Sequence, residues 1–296
     1  VATTTAGGFA LVATSTIASL ATTGKGGHIT QTSAASGTTT PVDVIVTNGT
    51  ECNSDGGSQI LDFYFEKYVQ ATGEFVLWVE SMDISSTTGK TVLMYYGNAG
   101  ASDLSDESGV FGALGESAVW NLHEDPSCVG SCVLDSTTSN ADGDPGTAMT
   151  AVDLVAGYLD GALDFDGASN DNVAGNPAGI LMGQDNSFTV MAWFKIDGFP
   201  GGGSFETMFA ANDEAGNDEG FWFQFSGNDL NCGWQNGSDP DHNLSTQNMS
   251  TGVWYHGVCS FTDPGDNVTL YTNGASVLSE AEAGSIQDDL DGAFSI

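Results

Sequence analysis

The chain of 296 residues carries 39 aspartates and glutamates against four lysines and no arginine, a formal charge of −35. Such a surface repels nucleic acid and anionic membranes. It does not mean disorder, because 40% of the residues are hydrophobic and 16 Phe and 6 Trp are among them, enough to build cores.

The length suits two domains, each with its own core. Self-repulsion on this scale calls for an offset, either a saline setting, where the Debye length falls to about 3 Å at 1 M salt, or bound divalent cations such as calcium. No stretch approaches the roughly 18 to 20 consecutive apolar residues of a membrane-spanning helix, so no direct membrane insertion is expected. The N-terminus shows no charged-then-apolar leader, so a secreted form would already have lost its signal.

Taken in chain order, helix-period patterns are scarce, and short runs of Val, Ile, Phe, Tyr, Trp and Thr recur between Gly, Asn, Asp and Ser clusters. That pattern predicts an all-β protein. In the first third the expected strands are "GFALVAT", "GHITQT", "VDVIVTN", "ILDFYFEKY", "EFVLWVES" and "KTVLMYYGN", with "ATG" as a hairpin turn ahead of Glu74. The polar stretch "ASDLSDESG" then reads as a linker. From about residue 117 the strands resume in "YLDGALDFDG", "SFTVMAWFKI", "TMFAAN", "GFWFQFSG", "VWYHGVCSF" and "VTLYTNG", a spacing that suits a two-sheet sandwich.

Of the five cysteines, Cys128 and Cys132 enclose "CVGSC", too cramped and too poor in His for a zinc site without distant partners. Disulfides are the expectation. If Cys128–Cys132 and Cys232–Cys259 pair, loop-closure entropy gives roughly 2 and roughly 3.6 kcal/mol respectively. Cys52 is then free or bonded between subunits.

The order of these motifs resembles a pairing found in bacterial and archaeal surface proteins: a small β domain of unknown function followed by a laminin-G-like domain of the concanavalin A-like lectin/glucanase superfamily. In the first domain the resemblance rests on "FALVATSTIASL", "DFYFEKYVQATGEFVLWVESMDI" and "TVLMYYGNAGASDLSDESGVF". In the second it rests on "AVWNLHEDPS", "DSTTSNADGDPGT", "GALDFDGASND", "SFTVMAWFKI", "GVWYHGVCSF" and "VTLYTNG". The resemblance implies two tandem β-sandwiches, residues 1–108 and a jelly roll over residues 109–296 that lacks its usual last strands. Strands supplied by neighbouring subunits would complete such open edges, with trimming of the chain as the plainer alternative.

Catalysis is not expected. The glucanases of the superfamily carry a Glu-x-Asp-x-(x)-Glu run, because a retaining hydrolase needs two carboxyls about 5 to 5.5 Å apart, and this chain has no such run. Glu124–Asp125 and the group Asp213, Glu214, Asp218 and Glu219 lie in loop-like sequence, and His28, His123, His242 and His256 are scattered without a nucleophile elbow. The resemblance places His256 at a structural strand position and implies that Trp193 and Trp254 are core tryptophans.

Calcium is the cofactor to expect, at a sandwich rim as in many laminin-G-like domains. Its candidate ligands are Asp135, Asp142 and Asp144 in "DSTTSNADGDPG" and Asp166, Asn170 and Asp171 in "FDGASNDN", since calcium takes six to eight oxygens. For glycan recognition the candidate platform is Trp222 with Trp234, beside "SGNDLN" and "QNGSDPDHN". The expected function is that of a non-enzymatic, extracellular or cell-surface structural or adhesive protein, a self-associating subunit of a filament, sheath or layer. The alternative is a carbohydrate-binding module that anchors a cell or an enzyme to polysaccharide.

Overall fold

A computed structural model describes residues 9–11, 45–47, 60–69, 74–80, 93–95, 104–112, 116–167, 170–175, 187–201, 205–212, 220–235, 242–246, 249–262, 267–281 and 293–296. The all-β expectation holds. The chain divides into an N-terminal unit, Ala2–Asn121 with Ser136–Thr138, and a C-terminal unit made chiefly of Leu122–Asp135 and Ser139–Ile296.

In the N-terminal unit, β1 (Phe9–Leu11), β2 (Ile45–Thr47), β3 (Ile60–Leu61), β4 (Phe63–Val69), β5 (Glu74–Val79) and β6 (Leu93–Tyr95) form two three-stranded sheets, ordered β1-β5-β4 and β3-β2-β6. β5 is apolar on both faces, and both faces are covered: Phe75, Leu77 and Val79 are buried on one side and Val76 on the other. The polar stretch expected as a linker leads into a short helix, α1 (Glu107–Gly112). Its Val110 and Phe111 are buried, and Phe111 meets Trp78 and Tyr64 edge-on at centroid distances of 5.4 and 6.1 Å. The helix is thus held by an aromatic cap that Trp78 could not find on its own strand.

In the C-terminal unit the strands are β7 (Gly143–Pro145), β8 (Leu154–Ala156), β9 (Gly161–Leu163), β10 (Val173–Gly175), β11 (Phe188–Lys195), β12 (Phe205–Asn212), β13 (Gly220–Ser226), β14 (Asp229–Gln235), β15 (His242–Thr246), β16 (Trp254–Thr262), β17 (Asn267–Thr272), β18 (Ala275–Ala281) and β19 (Phe294–Ser295). A seven-stranded sheet runs β15-β14-β13-β12-β19-β10-β7 and a four-stranded sheet β11-β16-β17-β18, with β8 and β9 as a separate hairpin. The inner faces meet through aromatic pairs: Phe188 with Phe221 at 5.2 Å, Phe194 with Phe225 at 5.2 Å, and Trp234 with Phe261 at 6.1 Å. Cys232 of β14 and Cys259 of β16 join the two sheets in a disulfide buried at both ends. Beside it Gly257 lets the aromatic rings close in, because a Cβ there would lie 2.8 Å from a Phe194 ring carbon and 2.9 Å from one of Phe223, and those rings would have to shift to admit it.

β19 sits between β12 and β10, with Ala210 and Ala174 both opposite Ser295. Phe294 is completely buried and stacks on Phe209 at 6.3 Å. The second disulfide, Cys128–Cys132, lies in an exposed loop whose Val129 is fully solvent-facing. No helix among the described residues is long and apolar enough to cross a membrane.

Candidate functional site

The outward face of the four-stranded sheet is set by strict alternation along β11. Thr189, Met191, Trp193 and Lys195 are exposed, while Phe188, Val190, Ala192 and Phe194 are half-buried on the opposite side. Register carries this face onto β16, where Trp193 is opposite His256 and Lys195 is opposite Trp254. Tyr158, on the turn between β8 and β9, lies over Trp193 in a parallel stack, with centroids 3.8 Å apart and planes 12° from parallel. That turn is closed by a Gly157 N–H donating to the Asp160 carbonyl at 2.8 Å.

Tyr158, Trp193, Trp254, His256 and Asn273 line a cleft of about 460 Å³. Tyr158 is 53% exposed and Trp193 41%, values that leave both rings available to a ligand. Asn273 belongs to the Asn-Gly turn joining β17 to β18, with φ of 51° at Asn273 and 78° at Gly274, the left-handed pair that tight hairpins require. Its Oδ1 accepts the His256 N–H at 2.9 Å, and its own N–H donates to the His256 carbonyl at 2.8 Å. The turn is thereby fixed against β16, and the polar edge of the cleft is fixed with it.

Half-burial pulls the His256 pKa below its ordinary value, because desolvation penalises the imidazolium. The ring is therefore neutral at pH 7, able both to donate and to accept a hydrogen bond. The Lys195 Nζ lies 5.8 Å over the Trp254 ring and 3.9 Å from Asp197. Among the described residues no carboxylate lines the cleft. Its chemistry is apolar ring surface bordered by neutral hydrogen-bonding groups.

The site residues expected from sequence fall elsewhere. Trp234 is 1% exposed and is a core side chain, because β13–β14 register sets it opposite the buried Phe221, on the inner face. Trp222 alternates with Phe221 and Phe223 and is half-buried on the other face of the same sheet, so the two tryptophans do not form one platform. Conversely, Trp193 and Trp254 are not core: Trp193 is exposed and both border the cleft, as does His256.

The two candidate calcium loops lie at opposite ends of the β7–β10 ladder. Gly143 pairs with Gly175 and Pro145 with Val173, so Asp142 precedes one end and Asp171 the other, while Asp144 is mid-ladder opposite Ala174. Asp135 and Asp142 turn their carboxylates to the chain itself, accepting N–H groups of Ala141 and Asp135 at 3.0 and 2.8 Å. Asp171 accepts the Asp166 N–H, and Asn170 is in the left-handed region at φ 67°. Burial first, then the charges of Asp166 and Asp153, raise the Asp171 pKa, opposed by the Asp166 N–H. Among the described residues no three His, Cys, Asp or Glu side chains are gathered as a metal ion would need.

Glu124 accepts the His123 N–H at 3.1 Å and Asp125 the Ser127 N–H at 2.9 Å, and the Ser127 hydrogen bonds hold the Asp125 pKa low. Both carboxylates serve their own loop. Cys52, His28 and the acidic run Asp213 to Glu219 lie outside the described residues, as does the side chain of His242.

The fold and this face define a concanavalin A-like β-sandwich unit with an aromatic surface cleft. Residues 165–296 match the family described as the concanavalin A-like lectin/glucanases superfamily, and residues 48–119 match a domain of unknown function, DUF2341. The chain thus carries a DUF2341 domain followed by a concanavalin A-like domain.

Among solved structures it is similar to the binding domain of Paraclostridial Mosquitocidal Protein 1, at 14% identity over 61% of this chain and 44% of that one, with a TM-score of 0.48. It is similar to the receptor binding domain of botulinum neurotoxin D, at 17% identity over 61% and 44%, with a TM-score of 0.45. A third similarity, at 11% identity over 38% and 64% with a TM-score of 0.32, is to the Ruminococcus gnavus IT-sialidase CBM40 bound to alpha2,3 sialyllactose. The chain spans less than half the length of the two toxin-domain chains. No curated protein matches it.

Proposed function

We propose that the C-terminal unit is a non-catalytic carbohydrate-binding module of an extracellular or cell-surface protein, with its ligand seated in the cleft of Tyr158, Trp193, Trp254, His256 and Asn273. The observation that carries this reading is the exposed Tyr158–Trp193 stack. Two large rings held in register at the surface, beside a neutral imidazole and an amide, supply the apolar face and the polar border that a sugar ring presents in complement. The two disulfides agree with an oxidising setting.

The test is a glycan array probed with the full chain and with Trp193→Ala. Signals that the variant loses support the module, whereas an array with no signal, or one unchanged by the substitution, overturns it. Because no carboxylate among the described residues lines the cleft, binding there is expected to survive chelation. Calcium at the candidate loops stays a proposal about stability, checked by thermal melting with and without EDTA.

Self-association is the second reading, for which β11 is the relevant feature: it is an edge strand of its sheet among the described residues, and an edge can accept a strand from a neighbour. Negative-stain microscopy with millimolar calcium and with chelator decides it. Ordered fibres or lattices support it, and monodisperse particles in both conditions end it.

A further inference from the structure

The cleft is one end of a longer surface. Following the β11–β16 register away from Trp193 and His256, the outward residues are Met191 with Val258 and then Thr189 with Ser260. Register continues this last row across the sheet, Ser260 opposite Thr269 and Thr269 opposite Ser279. Four hydroxyls, one from each strand, therefore line up transversely on the exposed face. The Thr189 Oγ1 donates to the Ser260 Oγ at 3.1 Å, and the Thr269 and Ser279 hydroxyls lie 2.9 Å apart. Each such pair spends one donor internally and keeps one donor and several lone pairs for a ligand.

Distance and charge then define the ligand. Trp193 and Thr189 are four residues apart on one strand, about 14 Å at the rise of an extended chain, more than a disaccharide covers. β11, β16 and β17 contain no Asp or Glu, in a chain that has 39; the charged residues on the four strands of this sheet are Lys195, 3.9 Å from Asp197, and Glu280 of β18, opposite the buried Val268. A neutral chain is not repelled here, whereas an anionic one would meet the field of a molecule at −35. The hydroxyl row crosses the strands at a distance from the stack, so the two together suit an extended polymer more than a single terminal sugar.

We infer that this face binds a neutral linear glycan along β11 and β16, with one sugar on the Tyr158–Trp193 stack and the chain reaching the hydroxyl row of Thr189, Ser260, Thr269 and Ser279. This rests on the cleft reading above and adds to it the class of ligand: an uncharged chain of about three or more units, the length that the strand rise sets.

The experiment is calorimetric titration of the full chain with one- to six-unit series of β-1,4-glucan, β-1,3-glucan, β-1,4-mannan and β-1,4-linked N-acetylglucosamine, repeated with a Thr189→Val/Thr269→Val double variant. Valine keeps the β-branched shape, so folding is expected to be retained, which a thermal melt confirms. In at least one series affinity should rise about tenfold between the monosaccharide and the trisaccharide and then level off. The double variant should lower trisaccharide affinity by about tenfold, as expected for two lost hydrogen bonds, and leave the monosaccharide unchanged. Raising salt from 0.05 to about 0.5 M should change neither, since no ion pair forms.

Binding with no length dependence, or unaffected by the double variant, overturns the extended site while leaving the cleft in place if Trp193→Ala still abolishes it. Binding confined to sulfated or carboxylated glycans on the array, lost in Trp193→Ala, overturns the neutral class alone. No binding in any of the four series or on the array overturns both.

Discussion

Tyr158 lies flat on Trp193, 3.8 Å between ring centroids, although one is on a turn between two short strands and the other at the edge of the four-stranded sheet. Neither ring is needed to close the core, since both are about half exposed. Trp193→Ala should therefore cost only about 1 kcal/mol of stability, the order of one aromatic pair, while lowering glycan affinity by at least about tenfold, or 1.4 kcal/mol. Denaturant melts and calorimetry on the same preparation separate the two effects. A variant that loses several kcal/mol of stability would mean the stack is structural.

The two disulfides should behave oppositely toward a reductant. Cys232 and Cys259 are fully buried between the sheets, whereas Cys128 is exposed and Cys132 only half-buried, and thiol exchange needs access to sulfur. Mild dithiothreitol followed by alkylation and mass spectrometry should label Cys128 and Cys132 first. Replacing Cys232 and Cys259 by alanine, two positions 27 apart in sequence, should cost about 3.6 kcal/mol from loop closure, read as a shift in denaturant midpoint.

Phe294 should be among the most sensitive core positions. It is fully buried on β19 between β12 and β10, stacked on Phe209 and against Gly175. Phe294→Ala should cost about 3 to 5 kcal/mol, the range for emptying a buried aromatic site, and the loss should appear as a lower melting temperature. A change within a few tenths of a kcal/mol would show that β19 is not packed as described.

Stability should depend on pH through two groups of residues with opposite signs. His256 has a folded pKa below its ordinary 6.5, so the folded state binds fewer protons than the unfolded one. Its contribution is complete above about pH 6.5 and is lost as pH falls through that value. Asp62 is raised by burial and then by Glu80 and Asp106, Glu116 is raised by burial, and Asp171 is raised chiefly by burial. For these the folded state binds more protons, so stability falls as pH rises from the ordinary carboxylate range through their raised values. An NMR titration of the imidazole should give a midpoint below 6.5, and His256→Gln should remove the loss seen between about pH 7 and 5.

Much of the architecture was legible from period-2 alternation. "SFTVMAWFKI", "GFWFQFSG", "VWYHGVCSF" and "VTLYTNG" all became strands, because alternating apolar residues can bury one face only when extended. The same pattern did not say which face was inside. In β11 both sets, Phe188 with Phe194 and Met191 with Trp193, are apolar. The sequence signal that Trp193 faces water was the company it keeps, Thr189 and Lys195 at the same parity, and that signal is weak beside the burial preference of tryptophan.

The amino-acid sequence by itself determined the all-β class, the strand runs and the acidity of the chain, because these depend on local periodicity and composition; the order of the two domains was legible only through the resemblance of its motifs to a known pairing. Tertiary structure alone decided which aromatics are exposed, since inter-strand register put Trp234 beside Phe221 in the core and Trp193 beside His256 outside. It also decided that the two acidic loops lie at opposite ends of one ladder, and that Tyr158, remote in sequence, completes the cleft. Pairing between strands is a long-range choice, fixed by the packing of whole sheets, and no single segment encodes it.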